Sequence, residues 1–205
     1  LNTISFLALE WIDAKTPNQR DFKLLAEHLA KLHQCTSSYF GLEHDNYIGS
    51  LEQSNNRHEN WLDFYTEERL LPLLLLAKNK NLLHKKEIPS IDTIKNSCTA
   101  LFKNIKACLI HGDLWSGNYL ISNNGTPFLI DPSVYFGHNE IDIAMSKLFG
   151  GFNNDFYEVY QNIIPTDNYY NSRIELYQLY YLLVHLNLFG KSYYQSVKKI
   201  ISKYF

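Results

Sequence analysis

Three polar residues occur at a spacing that suits the transfer of a phosphoryl group. Asn118 follows Asp113 by five residues, and Asp131 follows Asn118 by thirteen. In such reactions one Asp accepts or orients the proton of the attacking hydroxyl, while an Asn and a second Asp give oxygen ligands to the Mg²⁺ on the ATP phosphates. We therefore predict Asp113 as the catalytic base, Asn118 and Asp131 as Mg²⁺ ligands, and ATP as the donor. The alternative at each position is a turn cap without a chemical role.

Two further residues are predicted to support this loop rather than to react. His111 is expected to hold the loop by a side-chain hydrogen bond, because a metal site built on His111 and Asp113 lacks a third ligand at a usual spacing. Asp142 is expected to accept backbone N–H groups of the loop. Asp131 precedes Pro132, where protein kinases have Asp-Phe-Gly, and this difference favours a small-molecule kinase.

The composition is that of a globular protein. The chain has 205 residues, of which 45% are apolar and 20% charged, enough for a sizeable core. Its net charge of −2 gives no bulk attraction to nucleic acid. The three cysteines form no CxxC pair, which predicts neither a disulfide framework nor a zinc site and favours the cytoplasm. No apolar run approaches the roughly 18–20 residues of a membrane span.

The predicted elements place the loop beside a small hairpin in a mostly helical chain. A strand that enters the loop is predicted at residues 109–110. A hairpin is predicted from two short strands, Tyr119–Ile121 and residues 128–130. A helix is predicted over Glu140–Phe149, and residues 41–60 read as a loop. Other helices are predicted to begin near Gln19, Trp61, Ser90, Asp155, Asn171 and Lys191. Ser90 is the predicted N-cap of its helix, and Pro72 is predicted to kink or end the helix that begins near Trp61.

This layout predicts an α+β, protein-kinase-like fold in which the mostly helical C-terminal lobe carries a small catalytic hairpin. Residues 3–11 predict an apolar strand, and no Gly-rich loop or strand Lys precedes it. We therefore expect residues 1–13 to be the last strand and hinge of an N-terminal lobe that is largely missing, and 14–205 to be the C-lobe. Glu10 and Ile12 fall where a hinge backbone would pair with adenine; the alternative is a core strand. The absence of an initial Met indicates a fragment.

The chain resembles the fructosamine kinase (ketosamine 3-kinase) family, which is related to aminoglycoside phosphotransferases. The resemblance extends over the whole sequence, and several motifs together are more specific than one loop. The similar segments are residues 6–12 (FLALEWI), 29–33 (LAKLH), 45–50 (DNYIGS), 60–72, 111–118 (HGDLWSGN), 131–137 (DPSVYFG), 140–145 (EIDIAM), 148–152 (LFGGF) and 185–190 (HLNLFG).

The resemblance implies a repair reaction on glycated amines. ATP would phosphorylate the 3-hydroxyl of a sugar joined to an amine, and the unstable product would release the amine. The partner would be a small-molecule or peptide fructosamine, although ribulosamines stay open as substrates. Trp115 would stack on the sugar or its amine substituent, or else pack the loop. Trp61, Phe64 and Tyr65 have the helical spacing of core residues, with a wall of the substrate cleft as the alternative.

Two other functions remain open from the sequence. An aminoglycoside or choline-type phosphotransferase would use the same Asp-Asn-Asp set. A non-catalytic binding module or truncated kinase is the second alternative, because phosphoryl transfer depends on the positioning and charge that a Gly-rich loop and a Lys supply. We expect little or no kinase activity from the 205 residues alone.

Overall fold

The structure, a computed structural model, describes residues 6–205 and has an α+β architecture in which helices dominate. Its α-helices are α1 Gln19–His33, α2 Trp61–Phe64, α3 Leu71–Asn79, α4 Ile91–Cys98, α5 Glu140–Phe149, α6 Asn154–Ile163, α7 Tyr170–Phe189 and α8 Tyr194–Tyr204. Its strands are β1 Thr36–Ser37, β2 Asn46–Ile48, β3 Leu51–Gln53, β4 Ala107–Ile110, β5 Tyr119–Ile121, β6 Pro127–Leu129 and β7 Tyr135–Gly137. Within residues 6–205, no helix has the length and apolar character needed to cross a membrane.

Local capping explains why several helices begin where the sequence predicts. The Asn18 side chain accepts from the Asp21 N–H, and the Asp21 side chain accepts from the Asn18 N–H, which closes a capping box on α1. Ser90 caps α4 by accepting from the Thr93 N–H. The predicted helix over Glu140–Phe149 is confirmed as α5, and the predicted hairpin is confirmed as β5 and β6.

The predicted strand over residues 3–11 is wrong for the part that the structure describes. Residues 6–13 have no regular secondary structure, and residues 3–5 lie outside the described range. An apolar run forms a strand only where a neighbouring strand takes its backbone hydrogen bonds. Here Phe6 is 90% exposed and Trp11 85% exposed, and the first sheet-like contact is a single bridge between Ala14 and Ser122. The division at residue 13 stays a prediction.

Pro72 does not end the second helical run, contrary to one of the two outcomes predicted for it, and a kink there stays a prediction. The chain runs from α2 through a π-helical segment, Tyr65–Leu70, directly into α3. Pro72 lies in the first turn of α3, where its missing N–H costs little. The predicted loop over residues 41–60 is also wrong in part, because β2 and β3 form a short hairpin inside it.

The π-helical segment directs Arg69 into the protein interior. Arg69 Nη1 donates to the Ser54 carbonyl at 2.6 Å, and Arg69 Nη2 donates to Asn55 Oδ1 at 2.7 Å. The guanidinium carbon lies 3.9 Å from the centre of the Tyr135 ring. Arg69 therefore ties the chain after β3 to the helical core, although its Nε–H has no protein partner among the described residues.

Two antiparallel sheets position the chain around the candidate residues. β4 lies between β1 and β7 in a three-stranded sheet, with Ile110 opposite Tyr135. The end of β4 therefore delivers residues 111–118 next to the segment that joins β6 to β7. The β5–β6 hairpin, with Tyr119 opposite Leu129, then returns the chain to Asp131.

Helices α5 and α7 pack side by side and run in the same direction. At their N-terminal ends Arg173 binds Glu140, with Nη2 2.6 Å from Oε1 and Nε 2.7 Å from Oε2. Toward their C-terminal ends the rings of His185 and Phe149 lie 4.6 Å apart. The two helices consequently end on the same side of the molecule.

Trp61 lies at the centre of an aromatic core, as its helical spacing predicts. It is 2% exposed, its ring packs against Phe64 and Tyr65, and its Nε1–H donates to Tyr177 Oη at 2.8 Å. Phe64 and Tyr65 are fully buried as well. The three residues therefore form core and not a wall of an open cleft.

Replacing Trp61 by Ala should destabilise the fold strongly. We expect the free energy of unfolding, measured by urea denaturation, to fall by about 3–5 kcal/mol, since the change leaves a large cavity. Leu75→Ala is the control: Leu75 is 42% exposed, and its removal should cost within about 0.5 kcal/mol. A loss of less than about 1 kcal/mol for Trp61→Ala would contradict the central role given to this side chain.

Candidate active site

The loop after β4 is held by one buried carboxylate. Asp142, on α5, accepts from the His111 N–H at 2.7 Å through Oδ2 and from the Gly112 N–H at 2.8 Å through Oδ1. Its side chain is completely buried, so these bonds are shielded from water. Asp142 thus binds the backbone of the loop and thereby fixes the direction in which the chain leaves β4.

His33 is a further support that sequence reasoning missed. Its Nε2 lies 3.0 Å from Asp142 Oδ2, and its Nδ1 lies 2.6 Å from Tyr160 Oη. Burial by itself would raise the pKa of Asp142, but the hydrogen bonds from His33 and Gly112 hold it below its usual value. The sequence could have indicated that His33 is buried, because His33 follows Leu29 by four residues and so lies on the same face of α1.

Gly112 is required by both conformation and space. Its φ is +83°, and a Cβ there would lie 2.0 Å from the Ser133 carbonyl oxygen. Tyr181, a second missed residue, donates from its Oη to the Gly112 carbonyl at 2.8 Å. The loop is therefore fastened from α5 and from α7, which are the two helices that pack together.

Asp113 and Asn118 are in direct contact at the ends of this loop. Asn118 Nδ2 donates to the Asp113 carbonyl at 2.8 Å and to Asp113 Oδ2 at 3.1 Å. Because the amide group of Asn118 is fixed in this way, its Oδ1 is free to bind a cation. Burial raises the pKa of Asp113 to about 6, and the hydrogen bond from Asn118 acts in the opposite direction. The carboxylate is thus still mainly ionised at neutral pH.

Asp131 enters the site from the end of the β5–β6 hairpin in a left-handed conformation, with φ +49°. Asp tolerates this region better than most residues do. Its side chain is exposed and makes no hydrogen bond to a described residue. His111 links it to the loop: the His111 Nε2 donates to the Ile130 carbonyl at 2.8 Å, and Nδ1 accepts from the Asp113 N–H at 3.3 Å.

Two separate cavities are lined by these residues, one by Asp113 and the other by Asp131. The first, the Asp113 cavity, has a volume of about 490 Å³ and is lined in part by Asp113, Trp115, Met145, Phe149, His185 and Phe189. The second, the Asp131 cavity, has a volume of about 830 Å³ and is lined by residues 9–14, Leu120, Asn123 and residues 128–131. Glu10 and Ile12 therefore lie with Asp131, and Trp115 lies with Asp113.

Trp115 packs the loop, as one expectation had it, while stacking on the acceptor stays a prediction. Its ring packs so closely over Gly117 that an added Cβ there would lie 2.4 Å from a ring carbon, yet the side chain is 40% exposed in the Asp113 cavity. It therefore packs the loop and also presents a ring face to the cavity.

The donor set fits Mg²⁺. Asn118 Oδ1 and the Asp131 carboxylate are hard oxygen ligands of the kind that this ion prefers, and neither accepts a hydrogen bond from the described residues. The exposed position of Asp131 leaves room for the water and phosphate oxygens that complete such a site.

Known proteins of one enzyme family resemble this chain along nearly its whole length. The family model described as fructosamine kinase matches residues 1–205. A protein of Enterococcus faecium named "Probable ketoamine kinase" is 41% identical over 204 residues, which cover 98% of this chain and 72% of that protein. "Protein-ribulosamine 3-kinase, chloroplastic" of Arabidopsis thaliana is 39% identical over 209 residues, covering 98% of this chain and 62% of that protein.

Solved structures add the fold. A crystal structure from Haemophilus somnus 129PT, assigned as a fructosamine-3-kinase, superposes with a TM-score of 0.85 at 31% identity and covers 96% of this chain and 67% of its own. LicA in complex with AMP, at 17% identity and a TM-score of 0.50, shares the fold alone.

These likenesses define the class of protein: it is an ATP-dependent phosphotransferase with a kinase-like fold. More narrowly, the chain belongs to the fructosamine kinase family, because the model of that family matches it from end to end.

Replacing Asp142 by Asn should loosen the loop while keeping the shape of the side chain. The new NH₂ group would face backbone N–H donors, and losing one such bond costs about 1–3 kcal/mol. We expect amide exchange at His111 and Gly112, measured by NMR, to become about ten- to hundredfold faster. Asp92→Asn, at an exposed position on α4, should leave both rates unchanged. Unaltered exchange in Asp142→Asn would show that other contacts hold the loop.

Proposed function

We propose that the protein is a ketosamine 3-kinase, which transfers the terminal phosphoryl group of ATP to the 3-hydroxyl of a sugar joined to an amine. The observation that carries the proposal is that Asn118 contacts both Asp113, which lines the Asp113 cavity, and the backbone of Asp131, which lines the Asp131 cavity. The names of the ketoamine and ribulosamine kinases that resemble the chain support the choice of acceptor.

Asp113 is the residue proposed to act on the acceptor. Its carboxylate lines the cavity and would accept the hydroxyl proton as the new oxygen–phosphorus bond forms and the bond to ADP breaks. Its contact with Asn118 would fix the orientation of the carboxylate. His111 and Asp142 would act only through the loop, because their polar atoms bond to the backbone at 2.7–3.3 Å.

Asn118 and Asp131 are proposed to hold Mg²⁺, which neutralises charge on the phosphates when bound. Glu10 and Ile12 are proposed to contact adenine through their backbone. Support comes from the Asp131 cavity, which joins these two residues to the end of the hairpin. Trp115 is proposed to stack on the acceptor in the other cavity. Nucleotide and acceptor would thus enter the site through different cavities.

Asp113→Asn in the full-length protein should remove turnover and leave the fold intact. General-base catalysis is worth about 10²–10⁴ in rate, so ADP release with a fructosamine should fall by at least about a hundredfold. Circular dichroism and urea denaturation would establish that the variant is folded, and Asp92→Asn is the matched control. A variant that retained more than a few per cent of the rate would remove Asp113 as the base.

Asp131→Asn should weaken the binding of ATP only when Mg²⁺ is present. Asn also tolerates a positive φ, so this change removes the charge with little added strain. Calorimetry should give an affinity for Mg²⁺·ATP at least about tenfold lower, since the lost carboxylate is a preferred Mg²⁺ ligand. ATP in excess EDTA is the control and should bind as it does to the wild type. Equal affinities for Mg²⁺·ATP would exclude Asp131 as a ligand.

The acceptor is tested by a panel of substrates with one readout, ADP release. A fructosamine and a ribulosamine of the same amine should be turned over, and phosphorus NMR should place the new phosphate on the 3-oxygen. Turnover of choline or an aminoglycoside without turnover of either ketosamine would overturn the proposal in favour of an aminoglycoside or choline-type phosphotransferase.

A further inference from the structure

Helices α5 and α7 end in the same three residues with the same backbone geometry. Leu-Phe-Gly closes α5 at Gly150, with φ 73° and ψ −161°, and closes α7 at Gly190, with φ 86° and ψ −159°. Only glycine adopts this region readily. A Cβ at either glycine would meet no atom within 4 Å, so the requirement is conformational and not one of space. Both helices therefore stop sharply just after a phenylalanine.

The two phenylalanines both pack against His185 at the wall of the Asp113 cavity. The His185 ring lies 4.6 Å from Phe149, 5.4 Å from Phe189 and 5.1 Å from Tyr193, and all four side chains line that cavity. We call them the aromatic cluster. Phe149 is 39% exposed and Phe189 is 64% exposed, unlike the buried rings of the core. The rings are consequently accessible from the cavity instead of filling the interior.

The electrostatic field at this end of the helices favours a cation. α5 and α7 are parallel, with Arg173 and Glu140 at their N-terminal ends, so the negative ends of both helix dipoles lie beside the cavity. The Gly190 N–H and the Lys80 Nζ bond to α7 carbonyls, those of Leu186 and Asn187. In the described chain no such bond from the Gly150 N–H closes α5, so its last carbonyls remain open.

His185 and Asp113 complete an acceptor-rich lining. The Nδ1–H of His185 donates to the Tyr181 carbonyl at 2.8 Å, and burial lowers the pKa of this His, so a neutral ring turns an Nε2 lone pair away from α7. Asp113 is the one carboxylate among the described lining residues, and none of them is a Lys or Arg. Lys191, between Phe189 and Tyr193, is exposed outside the lining.

From this juxtaposition we infer that the aromatic cluster binds the protonated amine of the acceptor and the apolar group that the amine carries. Ring faces attract ammonium groups, and the open C-terminus of α5 adds to that attraction. A secondary amine is protonated at neutral pH, and it would lie in the same cavity as the sugar hydroxyl that Asp113 is proposed to deprotonate. The inference rests on the proposed function for the identity of the amine, and it selects aromatic or aliphatic carriers over acidic ones.

The test uses two small probes that carry no sugar. N-methylbenzylamine is cationic at pH 7, and benzyl methyl ether is its neutral near-isostere; neither has a hydroxyl to phosphorylate. Ligand-observed NMR with the full-length protein should give an affinity for the amine about five- to tenfold above that for the ether, the range expected for a cation near two rings. Equal affinities would overturn the inference.

Phe189→Leu tests the ring and keeps an apolar side chain at a 64% exposed position. It should reduce amine binding about fivefold and change ether binding less than twofold. Tyr169→Leu, at an exposed position beside the opposite end of α7, should change neither. Unaltered amine binding in folded Phe189→Leu would remove the ring from the site and overturn the inference.

The same probes separate this inference from the proposed function. Selective binding of the amine, with no ADP release for any ketosamine, would overturn the proposed function and keep the cation site. Turnover of ketosamines without a preference for the amine probe would keep the proposed function and overturn the inference. A Michaelis constant for a benzylamine-derived fructosamine that rises at least about fivefold in Phe189→Leu, but not in Tyr169→Leu, would support both.

Discussion

The buried carboxylate of Asp142 is the constraint on which the site depends. It accepts two backbone N–H groups from the loop after β4 and a third contact from His33, all at 3.0 Å or less. A buried charge is stable only when its hydrogen bonds are satisfied, so α1, α5 and the loop must adopt this arrangement together. The same interaction sets the direction from which Asp113 and Asn118 leave the sheet.

The elements that the sequence predicts best are those with local causes. Asn18 and Ser90 begin helices because each has a backbone N–H in reach three residues later, and Asn-Asn-Gly-Thr closes the β5–β6 turn by its own conformation. The spacing of Asp113, Asn118 and Asp131 can be recognised in the sequence, because a short loop joins the first two residues and the β5–β6 hairpin joins the last two.

Features with distant causes could not be predicted in this way. His33 contacts Asp142 from 109 positions away in the chain, Tyr181 contacts the loop from 69 positions away, and neither belongs to a motif that indicates its partner. The π-helical segment directs Arg69 toward the carbonyl of Ser54, and no helical periodicity in the sequence predicts that contact. Residues 6–13 resemble a strand by composition, yet strand formation depends on a neighbouring chain and not on apolar side chains alone.

The exposed rings at the ends of α5 and α7 have an evolutionary consequence. Phe189 contributes little buried area, so exchanging it changes folding far less than a change at Trp61, which is 2% exposed. The glycines that follow the two phenylalanines preserve the helix ends whatever side chain precedes them. Under the inference drawn for the aromatic cluster, descendants of this protein can change their preference for the group on the amine through mutations that are nearly neutral for folding, whereas a change at the fully buried Asp142 disturbs the loop itself.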